Sequence, residues 1–190
     1  MPFVVLYDAA VLYPAPLRDL LLRVARTGLV RAHWTEQILD ECFRNIIVNR
    51  PDLPPAALER TRQLMNQAVP NVLVTGHESL VDVLSLPDPD DRHVLAAAIK
   101  AGAQVIVTWN LTDFPATSLA PYGIEAIDPD EFIVNVLDLA PGAMTTVVSE
   151  QAAALKNPPI TMADLLETLL RQGLVRAVAR LRELMGGVGQ

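Results

Sequence analysis

The chain has 190 residues, 51% hydrophobic and 19% charged, with a formal net charge of −7; that is enough for one sizeable domain with a filled core, and it excludes a disordered chain. The acidic balance argues against a generic, electrostatically driven nucleic-acid binder, and a single cysteine, Cys42, excludes an internal disulfide or a thiolate zinc cage. No apolar run reaches the roughly 18 residues of a membrane span, and Asp8 interrupts the N-terminal apolar run with no basic segment before it, so no membrane association and a cytoplasmic location are expected.

Phe3-Val4-Val5-Leu6-Tyr7 reads as a first strand ending on Asp8. Pro16 opens a helix with Leu17, Leu20, Leu21 and Val24 on one face, closed by Gly28. After the short apolar piece Leu29 to Ala32, Thr35 is the expected N-cap of a helix that turns Ile38, Leu39, Cys42, Phe43, Ile46 and Ile47 to a core and leaves Glu41 at the margin of that face. Pro51, Pro54 and Pro55 end it, and a polar helix runs from Ala56 to Gln67. Asn71 to Thr75 reads as the second strand and residues 78–84 as a short helix.

An acid-rich turn with Asp88, Asp90 and Asp91 precedes a helix from Arg92 to Ala101 that ends at Gly102, with Asp90 the best capping candidate. Val105-Ile106-Val107 and Ile124-Glu125-Ala126-Ile127 are further short strands, and Pro129 starts a helix through Leu137. Beyond Pro141 the pattern is helical: 142–155, then Met162 to Gln172 behind a capping-box-like Thr161 and Asp164, then Leu174 to Met185 before a mobile Gly186-Gly187 end. Alternating strands and helices predict an α/β fold with a parallel sheet, and the last helices a helical appendage packed on it.

Asp8, Glu41, Asp91, and Asn110 with Asp113 are the candidate chemistry. Functional crevices of open α/β sheets lie outside the carboxyl ends of strands, where Asp8 and the 110–113 loop emerge. Asp8 has neither a cap nor a turn signature; the others each have a plain alternative as turn, cap or solvated residues. Carboxylates gathered at one rim repel one another unless a divalent cation lies between them, and oxygen donors without cysteine or clustered histidine select Mg²⁺ or Mn²⁺. His33, His77 and His93 share no motif and read as structural or solvated, with His93 alone near the acids. No G-x-G-x-x-G and no P-loop is present, so a nucleotide cofactor is not expected.

The strand ending at Asp8, the segment Ile38-Leu39-Asp40-Glu41-Cys42, the run Asp91-Arg92-His93-Val94-Leu95-Ala96-Ala97-Ala98 and the run Val107-Thr108-Trp109-Asn110-Leu111-Thr112-Asp113-Phe114 resemble the PIN-domain nucleases, in particular the VapC-type toxins of bacterial toxin–antitoxin pairs. The resemblance covers roughly residues 3–137, and the tail is similar to the extension of a subgroup. It implies a three-layer α/β/α sandwich over residues 1–138 with a mainly parallel sheet, and a helical extension over 139–190. It also implies an endoribonuclease dependent on Mg²⁺ or Mn²⁺, with an RNA substrate. By the same resemblance the catalytic set is Asp8, Glu41, Asp91 and Asp113, of which Asp8, Asp91 and Asp113 hold metal, and Thr108 and Asn110 serve substrate binding.

Asn110 departs from the family pattern, standing where many members carry the fourth acid; an amide ligates without charge, and Asp113 is the candidate replacement. A small antitoxin docking on helices at 16–27 and 35–67, and a homodimer, are further implications of the resemblance. Two alternatives stand beside it. One is a catalytically inactive PIN-fold RNA-binding or scaffold protein; the other is a phosphotransferase or phosphatase on a different Rossmann-like sheet using Asp8 as nucleophile, which would want a second acid close behind Asp8, where Ala9-Ala10-Val11 follow.

Overall fold

In the computed structural model, which describes residues 2–186, strands and helices alternate, but the second strand is Val30–His33, in the apolar piece that the sequence did not mark as a strand, because its pairing with the first strand decides it. The order is β1 (Phe3–Tyr7), α1 (Ala9–Leu12), α2 (Ala15–Arg26), β2 (Val30–His33), α3 (Glu36–Asn49), α4 (Pro55–Ala68), α5 (Glu78–Val81), α6 (Arg92–Ala101), β3 (Val105–Val107), α7 (Ala116–Leu119), β4 (Glu125–Ile127), α8 (Pro129–Leu139), α9 (Pro141–Ala154), α10 (Met162–Arg171) and α11 (Val175–Gly186). All four strands are parallel, in the spatial order β2-β1-β3-β4. Val5, Leu6, Tyr7, Ile106 and Val107 are fully buried, as expected of strands covered on both faces by helices. The expected α/β/α architecture is the observed one.

This strand order contains a switch point. From β1 the chain crosses to β2 on one side, and β3 then returns to β1's other edge and continues outward to β4. The carboxyl ends of β1 and β3 therefore lie side by side where the crossover direction reverses, the usual crevice of an open α/β sheet. The register pairs Tyr7 with Val107, which sets Asp8 beside Thr108.

Three local expectations are corrected. Asp8 does have a capping role: it is the N-cap of the one-turn α1, and its Oδ1 accepts from the Ala9 N–H at 2.7 Å. The stretch at 71–75 forms only a bridge from Leu73 to Trp34, with Trp34 N–H donating to Val72 O and Val74 N–H to Trp34 O. Its partner runs out, because the chain leaves β2 for α3 at Thr35, whose hydroxyl accepts from Ile38 N–H as predicted. In the acid-rich turn the capping acid is Asp88, which accepts from Asp90 N–H at 2.9 Å, rather than Asp90. Asp91 stands at the head of α6 with no capping bond of its own, so its carboxylate is not committed to the helix.

The C-terminal helices dock on the sheet domain through specific ties. Asp130 of α8 accepts from the Arg176 and Ala177 backbone N–H groups and from Arg176 Nε, so it supplies the cap for the first turn of α11. Gln151 of α9 donates to Pro16 O at the start of α2. Thr161 and Asp164 form the full capping box at α10. Gly186 is the last helical residue of α11; Gly187, which the sequence reading calls mobile, lies outside the described residues.

Candidate active site

Asp8, Glu41, Asp91 and Asn110, from four separate elements, line one pocket of about 190 Å³ at the switch point, together with Ala9, Ala10, Arg44 and Asn45. Larger clefts exist, about 330 Å³ between α2 and α9 and about 420 Å³ between α3 and α4. Neither reaches the strand ends, so chemistry rather than volume singles out the smaller one.

Asp8 is the anchor. It is 4% exposed, and its two oxygens are held separately, Oδ1 by Ala9 N–H and Oδ2 by the Thr108 hydroxyl at 2.7 Å. Burial pushes its pKa upward, and the nearby Glu41 carboxylate adds to that; the bonds from Thr108 and Ala9, and the His93 ring, act in the opposite direction. Thr108 is fully buried and bifunctional: while it donates to Asp8, its oxygen accepts from Asn110 N–H at 3.0 Å. What Thr108 touches is thus Asp8 and the next loop residue. One hydroxyl fixes both the first acid and the entry of the 110–113 loop.

Glu41 reaches the pocket from α3, where its exposed margin faces α6. The Nε2 of His93 lies 2.9 Å from Glu41 Oε1, but out of line for an N–H···O bond, so both ring nitrogens of this buried histidine lack a hydrogen bond. His77 is buried too; burial lowers its pKa, with the His93 ring contributing to that lowering.

Asp91 has the clearest electrostatic signature. Its pKa is pushed up to about 6, first by partial burial and then by the charges of Asp8, Asp88 and Asp113, with His93 opposing. Asp91 therefore feels acids from β1, from its own turn and from the loop after β3. Asp113 is close enough to act on Asp91 but does not line the pocket; its N–H donates to Asn110 O in the turn. The sequence-derived set is thus brought to one region, with Asn110 rather than Asp113 on the pocket wall.

These residues suit a hard cation chemically. Carboxylate and amide oxygens are the donors of Mg²⁺ and Mn²⁺, and about 190 Å³ leaves space for an ion with several waters, each occupying roughly 30 Å³. Among the described residues no three His, Cys, Asp or Glu side chains form a closed cluster ready to hold a metal. Mg²⁺ does not need one, since it is usually bound through one or two carboxylates, waters and substrate phosphate.

Arg44 and Asn45 were not singled out as site residues by the sequence reading. The available signal was helical spacing: they follow Glu41 by three and four positions on α3, hence on the same face.

A parallel α/β sheet carrying an acid-lined pocket at its switch point defines a class of proteins with a phosphate- or cation-handling crevice. Residues 4–112 match the PIN domain model, and residues 129–183 match the model of the VapC50 C-terminal domain. The chain belongs to the PIN-domain family and carries the VapC-type C-terminal helical extension. It is 40% identical over 109 residues to the protein named "Putative ribonuclease VapC50" of Mycobacterium tuberculosis, an alignment spanning 55% of this chain and 64% of that relative. No solved structure matches the chain.

Proposed function

We propose that this protein is an endoribonuclease that hydrolyses RNA phosphodiester bonds with the help of Mg²⁺ or Mn²⁺, and that it is the toxin of a toxin–antitoxin pair acting in the cytoplasm. The observation that carries the reading is the convergence of Asp8, Glu41, Asp91 and Asn110 on one pocket at the switch point. Family membership supports it, as does the similarity to a relative named as a putative ribonuclease. The nuclease unit is taken as 1–138 and the extension as 139–190. A small antitoxin partner and a homodimer remain part of the proposal, by family resemblance.

Asp8 and Asp91, with Asp113 behind them, would hold the cation, and Asn110 would add a neutral oxygen. A bound dication supplies positive charge to the reacting phosphate and acidifies the attacking water. The chain's own residues do the positioning. Asp8, held at both oxygens, presents its remaining lone pairs in a fixed orientation. Thr108 keeps Asn110 in register with Asp8. Glu41, part-exposed beside His93, is the carboxylate placed to accept a proton from water entering the pocket. Buried Ala9 and the small Ala10 leave the floor of the pocket open beside Asp8.

The test is cleavage of a single-stranded RNA by the wild-type protein in Mg²⁺, compared with Asp8→Asn. Cleavage by the wild type, lost by at least about a hundredfold in the variant at unchanged melting behaviour, is the expected result. Equal cleavage by the two proteins would remove the pocket from the reaction.

A further inference from the structure

The acid pocket contains one basic side chain. Arg44, one turn beyond Glu41 on α3, lines its wall and is solvent-exposed. Its neighbours on the same part of the surface are already engaged. Arg18 donates to the carbonyls of Leu12 and Tyr13, Arg50 pairs with Asp52, and Arg62 with both Glu36 and Asp40. Among the described residues Arg44 makes neither a hydrogen bond nor an ion pair, despite sharing a pocket with Glu41 and Asp91. Its guanidinium is therefore solvent-exposed with no protein partner for its five donors.

The opposite wall cannot supply a cation. It comes from the loop after β3, and the sequence has no basic residue between Lys100 and Lys156. A polyanion approaching an acidic pocket on a chain of net charge −7 needs a countercharge at the rim. Arginine is suited to that task, because its planar fork matches phosphate oxygens in a bidentate manner and is weakly hydrated.

We propose that Arg44 is a substrate-binding residue that grips a backbone phosphate of single-stranded RNA adjacent to the one being cleaved. This rests on the nuclease reading above. The same geometry sets its role apart from the acids: Arg44 contributes to holding substrate, while Asp8, Glu41 and Asp91 face the reacting group. Arg44 also borders the neighbouring cleft between α3 and α4, lined by Phe43, Ile47 and Leu58 with Asp40 and Glu59, so it stands at the rim of the acid pocket and not at its floor.

The experiment measures cleavage kinetics and RNA binding for wild type, Arg44→Ala, Arg44→Lys and Arg60→Ala, the last an exposed arginine of α4 away from the pocket. Binding uses a fluorescein-labelled single-stranded RNA on an Asp8→Asn background, titrated at several salt concentrations in Mg²⁺. Arg44→Ala should raise KM about tenfold with kcat nearly unchanged, and reduce the salt slope of binding by about 0.7, the value for one phosphate on a single strand. Arg44→Lys should keep the slope and recover only part of the affinity, and Arg60→Ala should resemble wild type.

An unchanged KM and slope in Arg44→Ala overturns the phosphate grip and leaves the nuclease reading standing; the residue would then belong to a protein contact or to solvent. Equal losses in Arg44→Ala and Arg60→Ala also overturn it, because they mean a diffuse field. A wild-type protein that binds RNA with the Arg44-dependent slope but never cleaves it sinks the nuclease reading and keeps the grip. Absence of both binding and cleavage ends both. If Asp8→Asn does not fold, the KM comparison decides alone.

Discussion

Asp91→Asn tests whether the acids form one electrostatic unit. Partial burial and the charges of Asp8, Asp88 and Asp113 hold the Asp91 pKa at about 6, against an ordinary 3.8. Because the folded value lies above the unfolded one, the folded chain binds more protons between those values. The stabilisation from the protonated carboxyl is full below about pH 4 and is lost as pH rises towards 6. Full conversion of that difference gives roughly 3 kcal/mol. Asp91 is only part-buried, so solvent screening reduces the effect to about 1 kcal/mol.

Without metal, Asp91→Asn should therefore melt about 2–4 °C above wild type near pH 7.5. The two proteins should melt together near pH 4, where wild-type Asp91 is itself neutral. Addition of millimolar Mg²⁺ should reverse the order at neutral pH, because binding to the folded state stabilises the protein with more ligands. The assay is thermal unfolding by circular dichroism in EDTA and in Mg²⁺ at both pH values. A wild-type protein equal to or more stable than Asp91→Asn in EDTA at pH 7.5 would refute the claim that burial and the neighbouring acids disfavour the charged Asp91 carboxylate.

Three other outcomes follow from the same geometry. Chelation with EDTA should abolish RNA cleavage and Mg²⁺ or Mn²⁺ should restore it; undiminished cleavage in EDTA rules out the cation's role. Thr108→Val removes the donor to Asp8 and the acceptor of Asn110 N–H, and should destabilise by about 1–3 kcal/mol in a denaturant titration while lowering cleavage; unchanged values in both would mean that this hydroxyl fixes nothing. Asp130→Ala removes the cap of α11 and should lower stability by about 1–2 kcal/mol, with a change in Trp109 emission because the neighbouring α10–α11 turn loosens; stability equal to wild type counts against the docking role of Asp130.

Three of the four strands and most of the longer helices are legible because their signals are local, whereas β2 is a four-residue piece that its pairing with β1 makes a strand. Apolar runs at 3–7 and 105–107, a Thr cap at 35, Gly102 after α6 and the Thr161/Asp164 box act within a few residues of the chain. Misreadings arose where a long-range partner decides. Val72 to Val74 has strand character, but its only available neighbour is Trp34, at the point where the chain turns into α3. Asp88, Asp90 and Asp91 are chemically interchangeable in sequence; which of them caps depends on a turn whose first residue is extended and whose next is proline. Asp8 and the Asn110–Asp113 loop stand out because they follow strands, whereas Glu41, inside α3, and Asp91, at the head of α6, stand out through the family resemblance. Arg44 does not, because one arginine among many on helix surfaces has no local mark, and only the shared wall with Glu41 distinguishes it.

The C-terminal helices and the pocket are not independent parts of this molecule. Trp109 lies in the chain between Thr108, which holds Asp8, and Asn110, which lines the pocket, so its ring is carried by the backbone that joins them. That ring packs on Gly173 in the turn between α10 and α11, where an added Cβ would meet Trp109 Cη2 at 3.0 Å. Gly173 also has φ +98°, a backbone region where a side chain is strained, so both the close ring and the backbone favour glycine there. The adjacent Arg176 and Ala177 N–H groups are tied to Asp130 of α8. A continuous path of contacts thus runs from α8 through the head of α11 and Gly173 to the loop that carries Asn110. The extension therefore touches the site loop, through Gly173 against Trp109, as well as covering apolar surface.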